Sequence, residues 1–218
     1  MGEVQRPFRG SEALRDGRLT RHGLRTFRRL HRDVYVHRSV EVTALSRARA
    51  AWLWANGEAV LAGFSAAAVH GTRWIGGGEP ATLIRRGSRR SVDGIDVRAD
   101  ALLPDEVCRV GEMLVTTPAR TAFDLGRWLP VDRAVEVLDA LCHDTGLRPA
   151  EISAVAGRHR GERGLASLCE VMRRTADAHS TVAHGTAHSN PTTLVTGCFR
   201  SGLEQHERAV QLIHSGLM

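Results

Sequence analysis

Arg18, Arg21, His22, Arg25, Arg28 and Arg29 follow one another at intervals of one or three residues, and Arg32 and His37 come soon after. Guanidinium groups at that spacing can grip phosphate, or the O6/N7 edge of guanine, through two parallel N–H donors. The chemistry on offer is recognition of a polyanion, with DNA as the first candidate partner. Ten of the first 38 residues are Arg against four acids, whereas residues 39–218 hold 20 of each. The net charge of +6 therefore resides entirely in the N-terminal segment. Clustered cations gain free energy by releasing counterions condensed on a phosphate backbone, and the plainer reading of the same residues is a solvated basic face. All 30 cations are Arg, a bias that fits a GC-rich coding sequence as well as any function.

Other chemistry finds little footing. There is no GxSxG elbow, Walker loop, GxGxxG or HExxH, so no catalytic residue is expected and the chain reads as a non-enzyme. The acid pairs Asp105/Glu106 and Asp93/Asp96 sit beside proline or glycine turns and read as solvated carboxylates. His179, His184 and His188 are five and four residues apart, but the glycine and serine around them oppose the helix that would gather them, so neither metal nor cofactor is expected. Cys108, Cys142, Cys169 and Cys198 form no CxxC pair and read as inert core thiols. The first twenty residues lack an apolar run, and no stretch approaches the ~18 apolar residues of a membrane span, so a cytoplasmic protein is expected.

The basic residues need a scaffold. SEALRD, residues 11–16, reads as a short helix with Ser11 as N-cap and Gly17 at its end. Thr20 is a second N-cap, and TRHGLRTFRR places Leu24 and Phe27 on one side of a second helix with Arg21, Arg25, Arg28 and Arg29 around the other. LHRDVYVHR then reads as a β-hairpin or wing carrying Arg32 and His37. From residue 41 two alanine-rich helices are expected in ALSRARAAWLWANG and VLAGFSAAAVHG, then three or so strands of one small sheet in GGGEPATLIRRG, VDGIDVRAD and VGEMLVTTP. Thr117 and Pro118 mark a strand-to-helix junction, Pro118 at the first helical position where its missing N–H costs nothing. Helices follow in VDRAVEVLDALCHD, with Ala134, Val135, Leu138, Leu141 and Cys142 on one face, in RPAEISAVAGRH and in GLASLCEVMRRTADA. The fold class is thus α+β: a short winged helix-turn-helix over 1–40, a mainly helical domain with a small sheet over 41–178, and a polar, disordered tail over 179–218.

The runs SEALRDGRLTRHGLRT, RDVYV, AAWLW, AVLAGFSAAAVHG, LLPDEV and VTTPARTAFDLGR resemble a family of actinobacterial proteins over about residues 3–178. In that family a region similar to the abortive-infection AbiEi winged-helix antitoxins precedes a domain like the very-short-patch-repair endonucleases. The resemblance implies a winged-helix module at residues 10–38 followed by a helical α/β domain; with the basic segment it leads to a DNA-binding, antitoxin-like regulator as the first reading, and the alternative is a protein-interaction domain that docks on an acidic toxin or partner. Family members continue with a segment of the form ESPxETRLRxLLxxAG and then the acids and lysines of a nuclease, and this chain departs from them there. It has no lysine, and only Glu204 and Glu207 remain among acids beyond residue 190, so no catalytic residue carries over. Read one nucleotide forward, codons for Asn190 through Gly197 can spell TRLRWLLV, which makes an out-of-frame tail, and a truncated remnant of a nuclease-like protein, the expectation for the end of the chain.

Overall fold

The computed structural model describes residues 6–73, 75–76, 78–87 and 90–183, which form two compact units divided between Thr117 and Pro118. The expected boundary at residue 40 falls inside the first unit. The α+β class is observed, with eight helices and two sheets among the described residues.

In the first unit, β1 (Phe8–Arg9) leads directly into α1 (Gly10–Arg15), a one-turn α2 (Arg21–Leu24), and the hairpin of β2 (Phe27–His31) and β3 (Val34–His37). The three strands lie in the order β1-β3-β2, all antiparallel. One face carries Val34 and Val36, both buried, and the other carries the aromatic side chains of Phe8, Phe27 and Tyr35. α1 lies so close to Tyr35 that a Cβ on Gly10 would meet its ring at 2.6 Å, which is why glycine stands there. Asp33, at φ 62° in the hairpin turn, accepts from the backbone N–H and the hydroxyl of Ser11. α1 therefore begins at Gly10, and Ser11, expected to be its N-cap, instead ties the helix to the turn.

α3 (Ala44–Trp54) packs against the three-stranded sheet and also against α4 (Gly63–Val69) and β5 (Ala81–Ile84). Its alanines Ala48, Ala50 and Ala51 are fully buried, and their small side chains let structure approach on several sides. Arg9 closes the far end of this helix by donating from Nε and Nη2 to the Leu53 carbonyl, at 3.1 and 2.7 Å. The second sheet has the order β6-β5-β4-β8-β7, built from β4 (Val60–Leu61), β5, β6 (Ile95–Arg98), β7 (Val107–Val110) and β8 (Met113–Thr116). β5 and β6 are parallel, as are β4 and β8, and the remaining pairs are antiparallel. Every residue of β5 is buried, and Leu61, Leu83, Ile95 and Val115 form the core of this sheet with the α3 alanines. Each such side chain contributes ~1.5–3 kcal/mol on burial. Val60 and Leu61, expected to open a helix, pair with β5 and β8 instead, because the helix starts only at Gly63.

The second unit is helical: α5 (Pro118–Trp128), α6 (Val131–Thr145), α7 (Pro149–Arg158) and α8 (Leu165–Ala183). α5 contacts all three others and is buried from Arg120 to Arg127. Pro118 and Pro149 stand at first helical positions, and Gly146, at φ 68°, ends α6. On α6 the buried residues are Ala134, Val137, Leu138 and Leu141; Val137 joins the expected stripe while Val135 and Cys142 are only partly covered. α8 continues through His179 to Ala183, five residues into the expected tail, and residues 184–218 lie outside the described residues. No described helix is long and apolar enough to cross a membrane.

Candidate nucleic-acid interface

The basic residues of the N-terminal segment divide between two elements. Arg21 and His22 open α2, whose N-cap Thr20 accepts from the Gly23 N–H at 3.0 Å, as the residue types require. Arg25 caps that turn, and Arg18 precedes it, paired with Asp16 at 3.0 Å. The helix then stops, so Arg28 and Arg29 lie on β2 rather than on a longer second helix. Three interactions end it. The Thr26 hydroxyl donates back to the Gly23 carbonyl at 2.8 Å, and Arg38 donates to the carbonyls of Thr26 and Arg25 at 3.1 and 3.2 Å. Phe27, which shares a helical face with Leu24 in the sequence, turns edge-on to Phe8 with centroids 5.1 Å apart and lies 5.5 Å from the ring of His37.

Arg32 occupies the exposed hairpin turn, and His37 is half-buried at the end of β3, its Nδ1 2.7 Å from the Ser39 hydroxyl. Arg28 reaches the Val40 carbonyl at 3.3 Å, and Arg29 donates from Nε to the His31 carbonyl at 3.2 Å. Arg21, Arg25 and Arg32 are exposed, and their side chains make no hydrogen bond or ion pair with the described residues. Exposed surface guanidiniums without an acidic neighbour keep their whole field available to an incoming anion.

A second group of cations was not legible in the sequence. Where β2 passes the connection from β5 to β6, a cleft of about 740 Å³ is lined by Arg29, Arg32, Arg85 and Arg90. Trp54, at the end of α3, forms part of its wall with Leu30 and Val92, and Asp93 is its acid. Arg85 is shared with Glu58 at 3.0 Å. His31 also lines the cleft, against Gly94, where a Cβ would stand 3.4 Å from the imidazole Cε1. Burial, reinforced by the Arg47 charge and only partly opposed by Asp93, holds the His31 imidazole below its ordinary value of 6.5. Residues so far apart in the chain become neighbours only in the folded unit, where α3 packs against both β2 and β5.

The remaining titratable groups have structural settings. Glu106, expected to be solvated, is fully buried and accepts from the Leu103 N–H at 3.1 Å, closing the 3-10 turn Pro104–Glu106. Asp96 accepts from Ser91 and Arg98. In the helical unit Asp124 binds Arg120 and Arg127, each at 3.0 Å, and Phe123 lies beneath both guanidiniums, 5.4 and 4.7 Å from their Cζ atoms. Arg120 Nη1 stands 3.3 Å from His159 Nε2. Cys108, Cys142 and Cys169 are free thiols, half-buried; burial pushes the Cys142 thiol up to about 12, which leaves it unreactive at neutral pH. Cys198 and the pair His184 and His188 lie outside the described residues, and no cluster of metal-ligating side chains occurs among the described ones.

Comparison with family models, with curated proteins and with solved structures found no match to this chain.

Proposed function

We propose that the chain is a DNA-binding, antitoxin-like regulator that acts without a catalytic step, gripping duplex DNA with α2 and the β2–β3 hairpin. The observation that carries this reading is the set of exposed, unneutralised arginines Arg21, Arg25 and Arg32, in the segment that holds the whole net charge. The element order β1-α1-α2-β2-β3, with β1 pairing beside β3, supports a reduced winged helix in which α2 enters the groove and the hairpin is the wing. Arg21, His22 and Arg25 then face base edges, while Arg18, Arg28, Arg29, Arg32 and His37 lie toward the backbone.

α2 spans one turn, so it reaches few bases, and most of the affinity comes from phosphate contacts. Changing Arg21, Arg25 and Arg32 together to Ala should weaken binding of a labelled duplex at least about tenfold in low salt, since each phosphate contact contributes to affinity. Retention of wild-type affinity by that variant defeats the proposal.

The same short α2 favours a second reading, in which the basic face docks on an acidic toxin or subunit. A nuclease-treated pull-down separates the two. A protein partner survives digestion of nucleic acid, and a DNA complex does not.

A further inference from the structure

The cleft between the hairpin and the β5–β6 connection has the ingredients of a different kind of site. Four arginines, Arg29, Arg32, Arg85 and Arg90, line it together with Asp93, and Arg85 is paired with Glu58. Holding like charges around one concavity is unfavourable until an anion enters, and a phosphate accepts from several guanidinium forks at once. Trp54 adds an aromatic wall, a surface on which a nucleobase stacks whatever its identity. Asp93, an acceptor-only group when ionised, suits a sugar hydroxyl or a base amino group.

We infer that this cleft binds a nucleoside phosphate, its phosphate on Arg85 and Arg90 with help from Arg29 and Arg32, and its base against Trp54. The nucleotide is either free or an unstacked member of a single strand. Arg29 and Arg32 are shared with the residues proposed to grip duplex DNA, whereas Trp54, Arg85 and Arg90 stand outside them, and the inference rests on these three. It adds a site that accepts what a duplex does not present, an unpaired base.

The test uses the full chain and a fluorescently labelled oligothymidylate of about eight nucleotides, a length within the range that single-strand sites occupy. AMP, adenosine and inorganic phosphate serve as competitors. The expected result is displacement by AMP at concentrations where adenosine and phosphate fail. Oligothymidylate binding more tightly than AMP identifies a strand as the source, and the reverse identifies a free nucleotide. Arg85→Ala with Arg90→Ala should weaken both probes about tenfold or more, and Trp54→Leu should weaken them by a similar factor, the size of one stacking contact. Both variants should keep duplex affinity within about threefold, while a variant with Arg21→Ala and Arg25→Ala, neither of which lines the cleft, should show the opposite pattern, which keeps failure of the two sites distinguishable. Because Trp54 also packs against the core, the arginine pair provides the independent check. Absence of AMP competition, or an Arg85/Arg90 variant that binds both probes like the wild type, overturns the inference.

Discussion

At the scale of single residues, the arginines separate by what they touch. Arg9 and Arg38 are spent on backbone carbonyls and hold α3 and the α2–β2 junction, whereas the side chains of Arg21 and Arg25, one turn apart, make no hydrogen bond or ion pair among the described residues. Asp124 is the opposite extreme, a carboxylate with no exposed surface between two guanidiniums. Burial pushes its carboxyl up, and the charges of Arg120 and Arg127 pull it back. Asp124→Ala would remove the buried carboxylate that both Arg120 and Arg127 pair with, so unfolding in urea should show a loss of ~3–5 kcal/mol, the cost of removing one partner of a buried pair. His31 gives a pH signature. With its folded value held below 6.5, the unfolded chain takes up the proton first as pH falls, so stability present at pH 7.5 is lost on acidification below 6.5. The urea midpoint of the wild type should fall more steeply than that of His31→Gln over that window, and parallel curves would show that His31 has no part in the acid response.

At the scale of elements, glycines at two close approaches do what no side chain could. Gly10 admits α1 to the face of Tyr35, and Gly164, at φ 84°, sits where a Cβ would meet the Arg127 carbonyl at 2.4 Å. Gly164→Ala should therefore lose ~2 kcal/mol or more in thermal or urea unfolding, while Gly161→Ala, with open space around it, should stay within ~0.5 kcal/mol of the wild type. Equal effects from the two would mean that the packing at Arg127 yields readily to an added methyl group. The elements that local chemistry specifies were legible in the sequence: the Thr20 cap, the hairpin around Asp33 and the start of α5 at Pro118. Those decided by distant partners were not. Leu24 and Phe27 have helical spacing, yet Phe27 is claimed by Phe8 on β1 and by His37 on β3. Val60 and Leu61 follow the same logic, since a two-residue strand exists only because β5 and β8 flank it. The candidate site divides likewise: the N-terminal arginines are contiguous and readable, but Trp54, Arg85 and Arg90 become neighbours only in the folded chain.

At the scale of the whole molecule, charge and structure are distributed unevenly. The first unit holds the basic segment, the aromatic-faced sheet and the arginine cleft, and the second is a helical body whose buried ions are paired with one another. That division predicts a protein whose contacts with nucleic acid reside in residues 6–117, with the helical unit contributing stability and not affinity. The most direct measurement is the salt dependence of duplex binding by fluorescence anisotropy, for the wild type and for the variant with Arg21, Arg25 and Arg32 changed to Ala. If these residues engage phosphates, the wild-type affinity falls steeply with salt, and the slope of log K against log salt shrinks by roughly 0.9 for each phosphate no longer neutralised, up to about 3 in all. A wild type that does not bind duplex at low salt, or a variant whose slope matches the wild type, contradicts the account.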